Sequence, residues 1–471
     1  MADETQHQRP QIQQRQLHVV MFPWLAFGHL VPFLELGGLI ARKGYRVSFV
    51  STPRNIQRLL PNTLSSLVDF VSFPLPRQDN LPEAMESTMD GAQEKVPFLK
   101  LAYDALQHPL SGFLRTASPD WIIYDFASYW LPDIAAQYGV ARAFFSVYPY
   151  STLVFFGSTA SLTEGADPRA ESPEKLTVPP EWVPFPSTVA FRLHEARRMI
   201  GFLQEGGVSD RFRVGSAIQG CDVCVSRGTY EVDGHWIHLS REIHQRPMLP
   251  LGPMPTPAED RNDETWPEIQ SWLDHQDRGS VVYVAFGSEA PITPSELIEL
   301  AEGLALSGSP FFWVLRKQSS ELPDGFEDRV KGQGVVWTGW APQIRILGHG
   351  SVGGFLTHCG PSSVKEALQF GHPLIMLPLI VDQPLIARVM SGELKVGVEI
   401  ERDEETGSFV RESVAEAVRS VMRGEQGREC RAKAREMIKI YGNQELQEKY
   451  SDELVEHLKQ HRPRRRPGSD D

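Results

Sequence analysis

Residues 340–383 read WAPQIRILGHGSVGGFLTHCGPSSVKEALQFGHPLIMLPLIVDQ, and this stretch decides the fold. Two apolar runs typical of buried strands, VGGFLTH at 352–358 and HPLIMLPL at 372–379, flank a helical segment that opens at HCGPSS. A strand, a helix and a second strand in this order predict a βαβ unit within a parallel sheet. Ligands bind beyond the carboxyl ends of such strands, so the polar residues that follow each run are candidates for function.

The same alternation of strands and helices extends outward from this unit through both halves of the chain. Further strand-like runs occupy 17–22, 46–51, 121–126, 280–288, 310–316 and 334–340. The sequence therefore predicts an α/β fold made of two Rossmann-like, doubly wound parallel-sheet domains that face each other across a cleft.

Length and composition shifts predict where these domains begin and end. A chain of 471 residues is too long for one ordinary core, and two domains of about 200 residues each are expected. The stretch RPMLPLGPMPTPAEDRNDETW is rich in proline and charge and indicates a linker between them. The predicted divisions are a disordered N-terminus at 1–15, an N-terminal domain at 16–250, a linker at 251–266, a C-terminal domain at 267–440, a helix at 441–460 that packs back on the N-terminal domain, and a disordered tail at 461–471.

The bulk composition excludes several classes of protein. Hydrophobic residues at 41% and charged residues at 23% are typical of a globular chain. A net charge of −13 argues against a nucleic-acid partner, which requires a basic surface. The apolar runs are too short for a membrane span, the N-terminus lacks the apolar core of a signal peptide, and four cysteines form no disulfide framework. We therefore expect a cytoplasmic protein without a membrane span, and we expect it to be a monomer.

The segment HCGPSSVKEAL at 358–368 has the features of an anion site. It follows a strand and opens a helix, whose free N–H groups and dipole favour a diphosphate without a metal ion. Ser363 and Glu366 also fit a capping box, S-x-x-E, which needs no ligand. The neighbouring indole, carboxylate and amide groups in 340–383 favour the ligand site, because a nucleotide-sugar needs a flat surface for its base and polar side chains for its sugars.

A nearby match to GxGxxG, from Gly348 to Gly353, does not indicate a dinucleotide site. That fingerprint must lie between a strand and a helix, whereas these glycines lead into a strand. The sequence therefore argues against a nicotinamide cofactor here.

A histidine and an aspartate in the N-terminal half are candidates for acid–base catalysis. His29 lies in the loop after the first strand and Asp125 at the end of the strand at 121–126, so both can reach the same rim of a parallel sheet. An alcohol is a poor nucleophile while it keeps its proton, and a histidine oriented by a carboxylate can remove that proton. On spacing alone the alternatives, a plain loop histidine and a helix N-cap aspartate, remain open.

Several segments together resemble a known family. The stretch at 340–383 resembles the signature box of plant UDP-dependent glycosyltransferases (family 1). PWLAFGHLVPFLEL at 23–36 and SPDWIIYDFASYWLP at 118–132 resemble the segments that hold the family's catalytic His–Asp dyad. The match over 16–59 is most similar to the family-91 branch, which includes enzymes that add a β-1,2-linked glucose to a sugar already on steviol. The resemblance implies the GT-B fold, with the acceptor bound by the N-terminal domain and the UDP-sugar by the C-terminal domain.

The resemblance also implies a role for each candidate residue. His29 is expected to act as the base and Asp125 to orient it, while Trp340 stacks on uracil and Glu366 accepts hydrogen bonds from the ribose. The residues expected to bind the UDP-sugar are Ser288, Trp340, Ala341, Gln343, His358, Gly360, Ser362, Ser363, Glu366, Asp382 and Gln383. The residues expected to bind the acceptor are Phe27, Phe126, Trp130, Tyr148, Tyr150 and Phe155.

This chain departs from the family at one turn, where the usual HCGWNS is HCGPSS. Pro361 removes a backbone donor and Ser362 shortens a phosphate contact, although proline suits the first turn of a helix. The resemblance implies an inverting transfer of glucose from UDP-glucose, with no metal and no other cofactor, to the 2-hydroxyl of a sugar on a small plant glycoside such as a steviol diterpenoid glycoside. The alternatives are a UDP-rhamnose- or UDP-xylose-dependent transferase acting on flavonoid or triterpenoid glycosides, and a non-catalytic UDP-sugar-binding protein.

Overall fold

The chain folds around two separate parallel sheets. The computed structural model describes residues 16–60, 63–165, 167–204, 208–256, 264–287, 291–315 and 322–463. In these ranges a seven-stranded sheet and a six-stranded sheet contain parallel pairings throughout. The α/β class and the two doubly wound sheets predicted from the sequence are confirmed.

The first sheet has the order β3-β2-β1-β4-β5-β6-β7. Its strands are β1 (His18–Phe22), β2 (Arg46–Ser51), β3 (Asp69–Ser72), β4 (Trp121–Tyr124), β5 (Ala141–Ser146), β6 (Val223–Ser226) and β7 (Met248–Pro250). The helices in this half are α1 (Phe27–Arg42), α2 (Pro53–Leu59), α3 (Val96–Asp104), α4 (Gln107–Ala117), α5 (Leu131–Gln137), α6 (Tyr150–Phe156), α7 (Thr159–Glu164), α8 (Leu193–Gln204), α9 (Asp210–Gln219) and α10 (Tyr230–His244).

The second sheet has the order β10-β9-β8-β11-β12-β13. Its strands are β8 (Val281–Ala285), β9 (Phe311–Leu315), β10 (Gly334–Thr338), β11 (Val352–Thr357), β12 (Leu374–Met376) and β13 (Gly397–Glu399). The helices that follow the first half are α11 (Trp266–Asp274), α12 (Pro294–Ser307), α13 (Phe326–Arg329), α14 (Gln343–Leu347), α15 (Pro361–Gln369), α16 (Gln383–Arg388), α17 (Arg411–Arg423), α18 (Glu425–Tyr441) and α19 (Gln444–Gln460).

The strand order of each sheet reverses at the first strand of its half. In the first sheet β1 lies between β2 and β4, and in the second β8 lies between β9 and β11. At such a switch point the loops leave the sheet in opposite directions and open a crevice at the carboxyl ends of the strands. The loops after β1, β4 and β11 therefore lie where a ligand would be bound.

Apolar packing joins the two halves. One buried cluster includes Ile122 of the first sheet and Tyr283 and Phe355 of the second. Polar contacts add to it: Arg388 donates to Glu195 of the first half at 2.8 Å and also contacts Glu399. The cleft walls are therefore held by both burial and ion pairs.

The last helix, α19, lies against the first half of the chain. Leu454 and Leu458 belong to the same buried cluster as Val19 and Phe33. The indole Nε1 of Trp121 donates to the carbonyl of Leu458 at 2.8 Å. The domain boundaries drawn from the sequence stay predictions. The proposed linker at 251–266 and the proposed tail at 461–471 lie partly outside the described residues, and the proposed disordered N-terminus at 1–15 lies wholly outside them.

Across the residues that the structure describes, none of the helices combines the length and the apolar character needed to cross a membrane.

Candidate active site

His29 and Asp125 meet at the carboxyl edge of the first sheet. His29 is in the first turn of α1, and Asp125 directly follows β4. The Nδ1 atom of His29 lies 2.6 Å from Oδ2 of Asp125, and the two side chains are 12% and 2% exposed. The two residues are 96 positions apart in the chain, so only the parallel sheet brings them together.

The surroundings of Asp125 fix the tautomer of His29. Backbone N–H groups of Trp24 and Phe126 donate to the carboxylate at 3.1 and 2.6 Å. An ionised carboxylate can only accept, so Nδ1 of His29 carries the proton in this pair and Nε2 keeps a lone pair. The rings of Phe126 and Tyr148 lie 5.6 and 6.3 Å from the imidazole. Nε2 is thus a base beside an aromatic wall.

The helix α15 begins beside His358 at the end of β11. Its N-cap is Gly360, and no side chain caps the helix. A Cβ atom on Gly360 would lie 2.6 Å from Nε2 of His358, and one on Gly287 would lie 3.0 Å from it. A side chain at 360 would therefore displace the imidazole, and position 287 favours glycine because its φ is 74° as well. Burial lowers the pKa of His358 to about 4, so the ring is neutral at physiological pH.

Cys359, between His358 and Gly360, has a left-handed backbone with φ 66°. Only glycine adopts this region without strain, and its use by a buried cysteine is typical of a functional turn. Thr357 holds the turn, because its Oγ1 accepts from the Cys359 N–H at 3.2 Å. The orphan amides at the start of α15 are fixed in direction by this turn.

The capping box anticipated at Ser363 and Glu366 is not formed. The helix begins two residues earlier, at Pro361, so Ser363 lies inside its first turn. Glu366 instead accepts a hydrogen bond from Nε2 of Gln343 at 2.6 Å, and Gln343 Oε1 accepts from Tyr283 at 3.2 Å. Burial raises the pKa of the Glu366 carboxyl. This carboxylate therefore has acceptor capacity to spare in a low-dielectric site.

Trp340 is the exposed aromatic residue of this region. Its side chain is 47% exposed, whereas the neighbouring Ala341 is 6% exposed. The backbone carbonyl of Trp340 accepts from the indole Nε1 of Trp337 at 3.1 Å. The indole can therefore present a flat face to a base. Ser288, assigned to the same site from the sequence, lies outside the described residues.

Asp382 and Gln383 reach the site from the start of α16. Asp382 is 7% exposed, and its Oδ2 has no hydrogen-bond partner in the structure. Burial raises the pKa of Asp382 to about 7, and the nearby His29 opposes this shift. Oε1 of Gln383 accepts from the N–H groups of Leu379 and Ile380 at 2.9 and 3.0 Å. That leaves the Nε2 amide group of Gln383 to contact a ligand.

The aromatic residues assigned to the acceptor divide into two groups. Phe126 and Tyr148 lie beside His29, as described above. Tyr150 and Phe155 do not line an open wall, since they are 0% and 1% exposed in the packed core. The sequence assignment fails there because buried helices and ligand walls use the same residue types.

The other two acceptor candidates also pack against protein. Trp130 is 7% exposed and donates through Nε1 to Asp104 Oδ1 at 3.0 Å. Phe27, the first residue of α1, is partly buried against the cluster on the α1 side of the sheet.

Sequence reasoning missed three charged residues next to α15. Arg227 follows β6, Glu35 is on α1, and Lys365 is on α15 itself. Arg227 Nη1 donates to Ser362 Oγ at 2.9 Å, and its Nη2 contacts Glu35. Arg227 directly follows a strand that ends at 226, so the rule that selected Asp125 would also have selected it.

The glycine pattern at 348–353 has a structural explanation. Gly353 is in β11, and a Cβ atom there would lie 1.9 Å from the carbonyl oxygen of Gly279. The glycine thus permits a close backbone approach, as the strand assignment requires. In the described ranges no three or more His, Cys, Asp or Glu side chains are grouped so as to hold a metal ion.

This geometry has counterparts in known proteins. A family model described as "UDP-glucoronosyl and UDP-glucosyl transferase" matches residues 245–435. The chain is 47% identical over 453 residues to UDP-glycosyltransferase 91D2 of Stevia rebaudiana, covering 94% of this chain and 95% of that protein. It is 48% identical over 449 residues to UDP-glycosyltransferase 91C1 of Arabidopsis thaliana, covering 94% and 96%.

A solved structure shares the fold across nearly the whole length. Phytolacca americana UGT2 complexed with UDP-2fluoro-glucose and pterostilbene aligns with a TM-score of 0.74 and 25% identity, covering 94% of this chain and 99% of that one.

Proposed function

Because the chain belongs to the plant UDP-glycosyltransferase family, we propose that it transfers glucose from UDP-glucose to a hydroxyl of a small plant glycoside. The observation that carries this proposal is that three groups meet at the carboxyl edge of the first sheet. They are the His29–Asp125 pair, the start of α15, which Arg227 contacts through Ser362, and the buried carboxyl of Asp382 near His29. These supply a base, a diphosphate site and a partner for sugar hydroxyls.

We assign the proton transfer to His29. Its Nε2 takes the proton of the acceptor hydroxyl as the oxygen attacks the anomeric carbon, and Asp125 stabilises the imidazolium that forms. The C1–O bond to UDP breaks with its electron pair on the diphosphate. A single displacement from an α-linked donor gives a β-glycoside. The mechanism requires no metal, since the departing charge develops at the start of α15.

Nucleotide binding is assigned to the residues around Glu366. An indole face at Trp340 suits uracil, and a carboxylate held by Gln343 suits a pair of ribose hydroxyls. Two side chains are assigned to the sugar of the UDP-sugar. Gln383 offers its amide N–H groups, and Asp382 offers a carboxyl oxygen that has no hydrogen-bond partner in the structure.

Replacing Glu366 with alanine is expected to weaken UDP binding by about tenfold or more, because two hydrogen bonds to a charged acceptor are lost. The helix should persist, since Glu366 caps nothing. Calorimetric titration with UDP measures the effect. Glu302→Ala, a substitution of a glutamate paired with Arg329 on the surface, is the matched control and should bind UDP as the wild type does. Equal affinities for Glu366→Ala and wild type would remove the ribose assignment.

We propose the 2-hydroxyl of an existing glucose, as on a steviol diterpenoid glycoside, as the acceptor group. This finer assignment rests on the resemblance of residues 16–59 to the family-91 branch. The rings of Phe126 and Tyr148 beside His29 offer apolar surface to an acceptor of this kind.

A second candidate uses UDP-rhamnose or UDP-xylose as the donor and a triterpenoid or flavonoid glycoside as the acceptor. Support comes from a relative named soyasaponin III rhamnosyltransferase of Glycine max, which is 38% identical over 464 residues and is covered to 96%. We propose that the start of α15 tells the donors apart, because Pro361 and Ser362 form the first turn of the helix to which the diphosphate is assigned.

The test is incubation of the purified protein with UDP-glucose, UDP-rhamnose or UDP-xylose and a steviol glycoside, a triterpenoid glycoside or a flavonoid glycoside. Mass spectrometry and NMR then give the mass gain and the linkage. A product heavier by one hexose and β-linked to a glucose 2-hydroxyl supports the first proposal, whereas exclusive use of a deoxyhexose or a pentose supports the second. Bound UDP with no transfer from any donor would favour a UDP-sugar-binding protein. Transfer that survives chelation by EDTA would support the metal-free mechanism.

A further inference from the structure

Arg227 comes from the first half of the chain but contacts the helix that opens the donor site. Its side chain is 10% exposed, and its Nη1 donates to Ser362 Oγ at 2.9 Å. We propose that Arg227 is a positioning residue for the donor diphosphate and that it acts through the hydroxyl of Ser362. This inference rests on the proposed function, which binds the diphosphate at the start of α15.

The direction of the hydrogen bond carries the argument. A guanidinium has only donors, so Ser362 Oγ must accept from Arg227. The hydroxyl proton of Ser362 is then left to donate to another acceptor, and a cation on the oxygen makes it a stronger donor. Ser362 is the second residue of α15, which is the turn where the helix amides are unpaired. We assign that acceptor to an anion bound at those amides.

The loss of one amide donor makes a replacement useful at this turn. Pro361, the first residue of α15, has no N–H group. The short Ser362 side chain would otherwise offer a neutral hydroxyl. Coupling that hydroxyl to a guanidinium supplies positive character to the helix start without a longer side chain.

The neighbours of Arg227 hold its side chain in place. Glu35 of α1 contacts Arg227 and lies 3.7 Å from Nζ of Lys365. Lys365 is 5% exposed, and its Nζ has no hydrogen-bond partner in the structure. Glu366 also lies close enough to act on the charges of both Arg227 and Lys365, so two carboxylates balance the two cations. The hydrogen bond to Ser362, and not net charge, therefore carries the inference. Glu35 and Arg227 belong to one half and Ser362 and Lys365 to the other, so these contacts join the two halves.

Binding of UDP and of uridine by calorimetry separates a role at the diphosphate from a general structural role. Arg227→Met is expected to lower UDP affinity roughly tenfold while leaving uridine affinity unchanged. Ser362→Ala should give a similar loss for UDP. The double variant Arg227→Met/Ser362→Ala should be no weaker than Ser362→Ala alone, because Arg227 acts through the hydroxyl that Ser362→Ala already removes. Arg227→Lys should recover part of the affinity.

Lys365→Met is the comparison for net charge, since it removes one positive charge from the cluster but no bond to Ser362. Its loss of UDP affinity should stay below about threefold. Equal losses for UDP and uridine in Arg227→Met, additive losses in the double variant, or an equally large loss in Lys365→Met would each overturn the inference. Failure of the wild-type protein to bind UDP would instead count against the proposed function, so the two failures are distinguishable.

Discussion

Replacing His29 with alanine is expected to lower kcat for sugar transfer by about 10²–10⁴-fold, the usual contribution of a positioned general base. Nδ1 of His29 is bound to Asp125 at 2.6 Å, so Nε2 is the ring nitrogen to which we assign the acceptor's proton. The affinity for UDP should change little, since the nucleotide groups are on α14, α15 and the loop before them. Steady-state kinetics with UDP-glucose and a glycoside acceptor, together with UDP titration, measure both quantities.

Two further variants separate proton transfer from damage to the fold. His349→Ala removes a histidine that binds Ser351 and Asp274 on the outside of the second half and should keep wild-type activity. Asp125→Asn can no longer fix the tautomer of His29, so it should lose much of kcat while UDP binding is retained. A His29→Ala protein that still turns over at the wild-type rate would eliminate this residue as the base.

The fold could be predicted from the sequence because parallel strands buried on both faces are nearly continuous apolar runs. The run at 17–22 contains β1 (His18–Phe22), and the run at 352–358 contains β11 (Val352–Thr357). The convergence of His29 and Asp125 followed from the rule that parallel strands end at one rim.

Side-chain partners could not be predicted in the same way. Ser363 and Glu366 fit a capping box in the sequence, yet Pro361 starts the helix earlier, and Glu366 pairs with Gln343, 23 positions away. The bond between Arg227 and Ser362 spans 135 positions and joins the two halves, so no local pattern encodes it.

Aromatic residues show the same limit within a single short segment. Tyr148 lies beside His29, but Tyr150 is fully buried, although both were assigned to the acceptor wall. The sequence shows that aromatic residues follow the strand that ends near the cleft. The packing of α6 decides which of these side chains faces the cleft.

Replacing Asp382 with asparagine is expected to stabilise the ligand-free protein at neutral to alkaline pH while impairing transfer. Burial raises the pKa of Asp382 in the folded state to about 7, from an ordinary value of 3.8. Between these two pH values the folded state binds a proton that the unfolded state does not, so this group makes the wild type less stable as pH rises. The stability difference between Asp382→Asn and wild type should therefore grow by roughly 2–3 kcal/mol from about pH 5 to about pH 8.

Denaturant unfolding at the two pH values, without UDP-sugar, measures this change. Asp324→Asn is the matched control, because it removes an exposed carboxylate from the same half and should show no such growth. If the stability difference between Asp382→Asn and wild type did not change with pH, the carboxyl of Asp382 would be solvated. Its Oδ2 atom would then need no hydrogen bond from a sugar hydroxyl. If Asp382→Asn were more stable but no longer transferred sugar, the buried carboxyl would lower the stability of the protein and be kept because the donor sugar requires it.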